Sequence, residues 1–474
     1  MKILFANPPT FKDAGSFFRP VRFPTYNYAT PVMHPPLYLA YAAAYIRKQG
    51  HDVDLIDAPA NASTVNDFID MVKKIAPDIL VFETSTPSFS NDCRVAQKVK
   101  DALYPRMIHS VFLGTHVTAL PHDALAHKAV DVIVLGEYEF SLEEYIKKGP
   151  VDTPGIGYRD AHGSIIINVP RPFCEELDVL PPPARNLLPN YKYFDPILKN
   201  PFTFVLSGRG CPYPCTFCNW PLYLTGRTFR KRNPIRIVDE LEEIQKNYTF
   251  QSVLFNDDTF TADRDHAIAV AREIMKRRLT IPWGCYTRAD CNDDELLSTL
   301  RQAGCFLLKI GIESADEKIL KNIKKGYELH NVRSAVEKML RYKFHVHGTF
   351  AFGLPGETHE TIKKTVHFAK TLNLSTVQFS IAVPYPGTEF YNYLDTHGFL
   401  LTKNWDDYMP LKPIYEYPHL SHTAMHSALR NAYRSHYLRP KYFFVGMKQL
   451  LSQPKVFVGN AKKLLTLISS HEKN

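Results

Sequence analysis

A chain of 474 residues is about three times the length of a typical single domain, so two or three packed units are expected. Its 45% apolar, 12% aromatic and 22% charged content is enough to fill such cores, which excludes intrinsic disorder and a fibrous repeat. The net charge of +9 is concentrated after residue 428, where Arg430, Arg434, Arg439, Lys441, Lys448, Lys455, Lys462, Lys463 and Lys473 face only Glu472. The longest apolar run, Leu37 to Ile46, falls short of the roughly 20 residues of a bilayer span, so no integral membrane segment is expected. At the N-terminus, Met1-Lys2-Ile3-Leu4-Phe5-Ala6 meets the polar Asn7-Pro8-Pro9 too soon for a secretory signal and reads as the first strand of a cytosolic protein.

In chain order, strands are predicted at Lys2 to Ala6, Asp52 to Ile56, Asp78 to Glu83, Ser110 to Gly114 and Asp131 to Gly136. The helical patterns Pro36 to Gln49, Val65 to Ile75, Asn91 to Leu103 and Pro121 to Lys128 fall between them. This is the rhythm of an α/β, doubly wound parallel sheet, assigned to residues 1–149. Such sheets bind ligands beyond the carboxyl ends of their strands at the point where strand order reverses. Those ends, Asn7-Pro8-Pro9, Thr84-Ser85-Thr86-Pro87, Gly114-Thr115-His116 and Gly136-Glu137-Tyr138-Glu139, are small and polar and suit a large flat ligand. No Gly-x-Gly-x-x-Gly follows the first strand, which disfavours a dinucleotide.

Residues 150–200, with Pro181-Pro182-Pro183 and one short hairpin signal near Ile165 to Asn168, read as a proline-rich linker. Over 201–399, strands at Phe202 to Ser207, Ser252 to Asn256, Trp283 to Thr287, Phe306 to Ile312, Val346 to Phe352 and Thr376 to Val383 predict a partial (β/α)6 barrel. Its chemistry is expected at the C-terminal strand ends. Residues 400–474 read as a basic, aromatic, mainly helical region.

Eight cysteines in so long a chain are not a disulfide framework. Three of them follow the first barrel strand in Gly208-Arg209-Gly210-Cys211-Pro212-Tyr213-Pro214-Cys215-Thr216-Phe217-Cys218-Asn219-Trp220, with no further Cys or His in the next twenty residues. Thiolates so spaced hold either an iron–sulfur cluster with one iron open or a zinc ion completed by a remote ligand. Cys93, Cys174, Cys285, Cys291 and Cys305 read as buried, inert thiols.

The segment Cys211-x-x-x-Cys215-x-Phe217-Cys218 resembles the signature of radical S-adenosylmethionine (SAM) enzymes. The later strands carry that family's motifs in order: Asn256-Asp257-Asp258-Thr259-Phe260, Arg288, Gly311-Ile312-Glu313-Ser314, Gly353-Leu354-Pro355-Gly356-Glu357 and Pro384-Tyr385-Pro386-Gly387-Thr388. The resemblance implies a 4Fe-4S cluster on Cys211, Cys215 and Cys218, with SAM on the open iron. It also implies one-electron cleavage to a 5′-deoxyadenosyl radical, driven by an external donor such as flavodoxin or ferredoxin. Within it Phe217 would pack on adenine, Asp257 or Asp258 would accept the ammonium, Arg288 would pair with the carboxylate and Glu313 would accept from the ribose. Ser314, Gly353 and Pro384 complete the expected SAM site. As plain structural alternatives, Asp257-Asp258 would cap a helix, Arg288 and Glu313 would pair with each other, and Gly353 and Gly356 would form a tight turn.

The first domain and linker resemble the cobalamin-binding subclass of this family, with a Rossmann-like domain of cobalamin-binding type. Cobalamin is then expected over Pro8, Pro9, Thr84, Ser85, Gly114, His116, Gly136 and Glu137. The Asp-x-His-x-x-Gly segment that supplies a cobalt ligand in some cobalamin proteins is absent, which leaves base-off binding without a protein histidine, or a domain that has lost the cofactor; His116 is the candidate ligand, against the reading of an ordinary hydrogen-bonding residue.

The loop Cys215-Thr216-Phe217-Cys218-Asn219-Trp220-Pro221 resembles members acting on hopanoid or archaeal lipids, which implies carbon–carbon bond formation, rearrangement or methylation on a lipid- or isoprenoid-like substrate. Tyr442-Phe443-Phe444-Val445 and Val456-Phe457-Val458, interleaved with lysines, suit peripheral contact with an anionic membrane surface, or a helix packed on the barrel. The run Tyr433-Arg434-Ser435-His436-Tyr437-Leu438-Arg439-Pro440 resembles a C-terminal element of the same subclass, which weakens a purely membrane role. Porphyrin cyclisation and natural-product methylation stay open. A tRNA-modifying enzyme is disfavoured because only Cys93 lies in the first 170 residues, where the methylthiotransferases carry a second cluster, so nucleic acid is not expected as a partner. A scaffold with a structural cluster would leave the polar strand ends unexplained.

Overall fold

The computed structural model describes residues 1–11 and 32–440, together with the backbone of Phe17–Phe18 and Thr25–Tyr26. The aromatic and basic segments at 442–445 and 456–458 lie outside the described residues. No described helix is long and apolar enough to cross a membrane.

Strands β1 (Lys2–Asn7), β2 (Asp52–Asp57), β3 (Ile79–Thr84), β4 (His109–Gly114) and β5 (Val132–Val134) pair in parallel in the order β2-β1-β3-β4-β5. Strand order therefore reverses at β1, and the switch point opens between the ends of β1 and β3. The central strands β1 and β3 are buried on both faces, as helix-covered sheets require. Ile3 and Phe5 point toward α1 (Leu37–Lys48), while Leu4 and Ala6 point toward α2 (Val65–Ile75) and α3 (Phe89–Leu103).

Every residue of α1 from Leu37 to Ile46 is buried. A helix apolar all round needs cover on every side, and α1 finds it between this sheet and the barrel, where Tyr38 meets Trp220 edge-on at 5.0 Å. The short apolar run was thus a sandwiched core helix. The hairpin signal also has more structure than expected. β6 (Ile156–Arg159) and β7 (Ile165–Ile167) extend the first sheet antiparallel beyond β5, because the β-branched run at 165–167 favours a pleated edge. From there to residue 200 the chain makes only short turns, tethered where Arg185 bonds Glu240 Oε1 at 2.6 Å.

The barrel is an open six-stranded parallel sheet, β8 (Phe202–Val205), β9 (Ser252–Phe255), β10 (Trp283–Thr287), β11 (Cys305–Glu313), β12 (His345–Phe352) and β13 (Thr376–Ile381), in sequence order. Outward residues such as Phe255, Trp283 and Ile310 build a core with the surrounding helices. Inward Phe204, Leu254 and Leu307 join the core of α1 and the linker. An open sheet leaves a strand edge whose amide groups need partners. On β13 they are supplied by α4 (His422–Tyr437): Tyr437 Oη accepts from Val377 N at 2.9 Å and donates to its carbonyl at 2.6 Å. Tyr433 Oη does the same for Phe379, at 3.1 and 2.8 Å. Tyrosines one turn apart on a helix match alternate residues of a strand, so the C-terminal element at 433–440 is in part an edge cover.

Candidate active site

The cysteine loop is held from three sides. Asp257, just past β9 and fully buried, accepts from Ser207 N at 3.0 Å, Ser207 Oγ at 2.7 Å and Gly208 N at 2.7 Å. Burial pushes its pKa up to about 7, against these hydrogen bonds. Its carboxylate is engaged with the loop's entry, where the sequence reading offered it to an ammonium group or a helix N-terminus. Gly210 takes φ +100°, and a Cβ there would lie 2.0 Å from the Thr228 carbonyl, so the loop runs tight against 225–228. Further on, Thr216 N donates to Ile323 O at 3.1 Å and Phe390 N to Thr216 O at 3.1 Å. Asp258 receives the Thr225 hydroxyl at 2.7 Å.

Cys215 is buried, and Cys211 and Cys218 are half-buried. Burial, then the Asp258 charge, pushes the Cys211 thiol up, so a positive centre is needed to hold it as thiolate. A tetrahedral zinc site would bring sulfurs within about 4 Å of one another. Among the described residues no three Cys, His, Asp or Glu side chains converge to hold a single metal ion. An iron–sulfur cluster asks for no such convergence, because each thiolate binds a different iron. Around the loop Thr216 Oγ1, Trp220 Nε1 and Tyr385 Oη are buried without hydrogen-bond partners, as befits groups awaiting a polar ligand. Phe217 is half-buried against the barrel core.

Beside the loop stand two buried cations. Arg288 donates to Asp290 through Nε and Nη2, both at 2.9 Å, and from Nη2 to Lys325 O at 2.7 Å, with its guanidinium 3.5 Å over the Tyr213 ring. Glu313 pairs with Lys325 Nζ at 2.7 Å. Arg288 and Glu313, offered to each other by the sequence reading, take Asp290 and Lys325 as their respective partners. Glu313 has φ +68° and follows a register shift between β11 and β12, so a bulge re-aims its carboxylate toward the cations. Ser314 is buried against Thr365 at 3.4 Å, and Pro384 is buried. The Gly353 carbonyl is capped by the hydroxyls of Tyr415 and Tyr417 at 3.0 and 2.8 Å. Neither Lys325 nor these tyrosines was singled out from the sequence; the second of two adjacent lysines in Ile323-Lys324-Lys325-Gly326 reads as surface charge.

Deeper in the barrel, Tyr286, Lys309, His347 and Thr376 are successive register partners across β10 to β13 and form one inward polar layer. His347 Nδ1 meets Thr376 Oγ1 at 2.9 Å, and Lys309 Nζ sits 4.7 Å from the Tyr286 ring. Burial and then Lys309 hold His347 down to about 3, hence neutral. His34 and Asp195, 2.8 Å apart, approach from the N-terminal segment and the linker. The available sequence signal was Lys309 inside an otherwise apolar strand.

At the cobalamin-type domain, Pro8 and Pro9 are buried at the end of β1. Thr84 donates to Asp92 Oδ2 at 2.8 Å, and Ser85 N to Ser88 Oγ at 3.0 Å. A Cβ on Gly114, φ +119°, would lie 2.1 Å from the Thr84 carbonyl, so the ends of β3 and β4 meet as a smooth ledge. Gly136 faces Tyr223 of the cysteine loop region, with a built Cβ 3.8 Å from its carbonyl. Glu137 enters an ion network with Arg209 and Arg230. His116 is fully buried under Phe89, at 4.3 Å between ring centres, and Trp405, at 5.7 Å. Burial lowers its pKa, against the Asp123 carboxylate, whose Oδ2 lies 3.6 Å from His116 Nε2. The ring is enclosed by the protein.

The Radical SAM superfamily model matches residues 205–369 and the B12 binding domain model residues 29–146. Over 417 residues the chain is 33% identical to the uncharacterized methyltransferase PH0819 of Pyrococcus horikoshii, covering 86% of this chain and 88% of the relative. The chain belongs to the cobalamin-binding radical SAM enzymes. It is also 27% identical over 373 residues to an anaerobic magnesium-protoporphyrin IX monomethyl ester cyclase of Rubrivivax gelatinosus, covering 76% of this chain and 66% of that one. The cobalamin-dependent SAM radical enzyme OxsB, solved with aqua-cobalamin and SAM bound, shares the fold at a TM-score of 0.72 and 14% identity, over 100% of this chain and 73% of its own.

As a radical SAM enzyme of this subclass, the protein uses a 4Fe-4S cluster, SAM and cobalamin, acts on a small molecule and takes electrons from a donor. The expected family, fold class and cofactors are borne out. The five cysteines outside the motif are less uniform than expected. Cys93, Cys285 and Cys305 are buried, but Cys174 and Cys291 are half-buried, and Cys291 Sγ meets Tyr213 Oη of the cysteine loop at 2.9 Å. Glu357, at the end of the Gly353 turn, is buried and receives Thr361 Oγ1 at 2.6 Å. Burial pushes its pKa up to about 8. A carboxyl raised on folding favours the fold below its unfolded pKa and loses that contribution as pH climbs through the folded value. Glu357→Gln is therefore expected to melt increasingly above the wild type between about pH 5 and 8; a pH-independent difference in thermal scans would contradict it.

Proposed function

We propose that this radical SAM enzyme forms a carbon–carbon bond, by methyl transfer through cobalamin, at an unactivated carbon of an amphiphilic, isoprenoid- or lipid-like small molecule. For this role residues 1–149 carry cobalamin, 150–200 bridge, 201–399 carry the cluster and SAM, and the described part of 400–474, up to residue 440, covers the barrel edge. The observation that carries the reaction is that the ledge of β3, β4 and Gly136 faces the cysteine loop, with Gly136 against Tyr223 and α1 against Trp220. The bound cofactors supply one-electron SAM cleavage and a transferable methyl group.

The residues supply position. Cys211, Cys215 and Cys218 hold three irons; Arg288 and Lys325 face the SAM carboxylate; Glu313, aimed by its bulge, accepts from the ribose; and Phe217 packs on adenine. Asp258, Ser314, Gly353 and Pro384 shape the same wall, while Asp257 fixes the loop's entry. Pro8, Pro9, Thr84, Ser85, Gly114 and Gly136 form the cobalamin ledge. The polar layer of Tyr286, Lys309, His347 and Thr376 supports a polar group at one end of the substrate. The basic and aromatic composition of 441–474 supports a lipid body and peripheral membrane contact.

Anaerobic turnover with SAM labelled in its methyl group, on separated lipid and aqueous extracts, tests this. One labelled methyl appearing in a lipid-fraction product supports the reading. The same gain in a water-soluble product overturns the lipid assignment, and a product without added methyl overturns transfer in favour of cyclisation or rearrangement.

A further inference from the structure

The chain leading into the cysteine loop, Gly208–Arg209, pairs antiparallel with Arg230–Lys231 and sets Arg209 directly opposite Arg230. Like charges facing each other across two strands repel, and both side chains are at least nine-tenths buried. This two-strand ribbon cannot hold its shape by itself. The compensating charge comes from the other domain, from the turn after β5. Glu137 meets Arg209 at 3.0 Å and Arg230 at 2.8 Å, and Glu139 meets Arg209 at 2.6 Å. All four side chains are 9% exposed or less. Glu137 also accepts from Cys174 N at 2.7 Å, tying in the linker, and Arg230 donates to Thr225 O at 2.7 Å beside the loop. The Arg209 guanidinium lies 5.2 Å from the Tyr38 ring of α1.

We propose that Glu137, Glu139, Arg209 and Arg230 are positioning residues that lock the cysteine loop to the cobalamin-type domain, so that the distance between cluster and cobalamin is set by this ion network. Two buried cations on one ribbon stay in place only while both carboxylates are opposite them, because removing one partner of a buried pair leaves an uncompensated charge. The network lies between Gly136 of the ledge and Cys211 of the loop, two residues from Arg209. A tilt of the ribbon moves the loop relative to the ledge, and small misplacements of reacting groups cost large factors in rate. This inference rests on the placement of the two cofactors argued above.

The test uses the full chain loaded with cluster and cobalamin, as Glu139→Gln and, separately, Arg209→Lys. Pulsed electron paramagnetic resonance reads the spin–spin distance between the reduced cluster and cob(II)alamin. The wild type is expected to give one narrow distance, and each variant a broadened or lengthened distribution at wild-type iron and cobalt content. Product formed per 5′-deoxyadenosine released is expected to fall roughly tenfold or more. The conservative Glu139→Asp, which keeps the charge, is expected to recover part of both signals. A variant with cofactors bound and an unchanged distance distribution overturns the proposal. Should Glu139→Gln fail to fold, Arg209→Lys and Glu139→Asp decide it by the same two readouts. If no methyl is transferred by the wild type, the distance measurement still stands, so failure of the reaction assignment and failure of the positioning role are separable.

Discussion

Cys215→Ala protein, reconstituted anaerobically with iron and sulfide, is expected to release 5′-deoxyadenosine at least about a hundredfold more slowly than the wild type, equivalent to about 2.7 kcal/mol of lost transition-state stabilisation. Cys215 is the buried member of the three, and the next residue fixes the loop through both its amide and its carbonyl, to Ile323 and to 390. Two remaining thiolates cannot keep three irons of a cube coordinated, and the open iron is then no longer the only reactive one. Cys93→Ala serves as the control, since Cys93 is buried on α3 in the core of the first sheet. The measurement is deoxyadenosine by chromatography under strong reductant. Undiminished release from Cys215→Ala would remove the cluster assignment altogether.

The second large effect is expected at Lys325. Burial opposes its charge, but Glu313, Tyr327 and Cys215 outweigh it and hold the ammonium protonated. Lys325→Ala strands Glu313 as an unpaired buried carboxylate and is expected to cost about 3–5 kcal/mol of stability. Arg288 loses nothing directly, because it bonds the Lys325 carbonyl and not its side chain. The double variant Lys325→Met with Glu313→Gln removes both charges and is expected to recover much of the melting temperature while SAM binding, read by calorimetry, stays weak. If SAM affinity returned with stability, the pair would be structural and would have no part in the site. A buried pair of this kind is an expensive way to stabilise a fold, and its place beside the cysteine loop is what gives it a reason.

Much of the architecture was legible because it is written in local periodicity. The βαβ alternation, the small polar strand ends and the cysteine spacing each repeat over a few residues, and the strands formed within one or two residues of expectation. The period-two alternation along β11, with Lys309 and Gly311 on one face and Leu308 and Ile310 on the other, is equally local up to the bulge before Glu313. What was not legible depended on partners distant in sequence. Asp257 sits in a motif associated with ligand binding, yet its carboxylate accepts from the backbone and side chain of Ser207 and from Gly208 N, about fifty residues earlier. His116 stands at a strand end suited to a cofactor, yet Trp405, nearly three hundred residues away, closes over it.

The sequence alone determined the fold class, the cluster-binding loop and the family, because spacing and period are properties of the chain. Tertiary structure alone decided which charges meet. Lys325 reads as a surface lysine until Glu313 is turned toward it by a bulge, and Arg209 and Arg230 read as solvated until the ribbon buries them against acids from another domain. The free energy of a charge depends on what surrounds it in space, and no window of neighbouring residues contains that information.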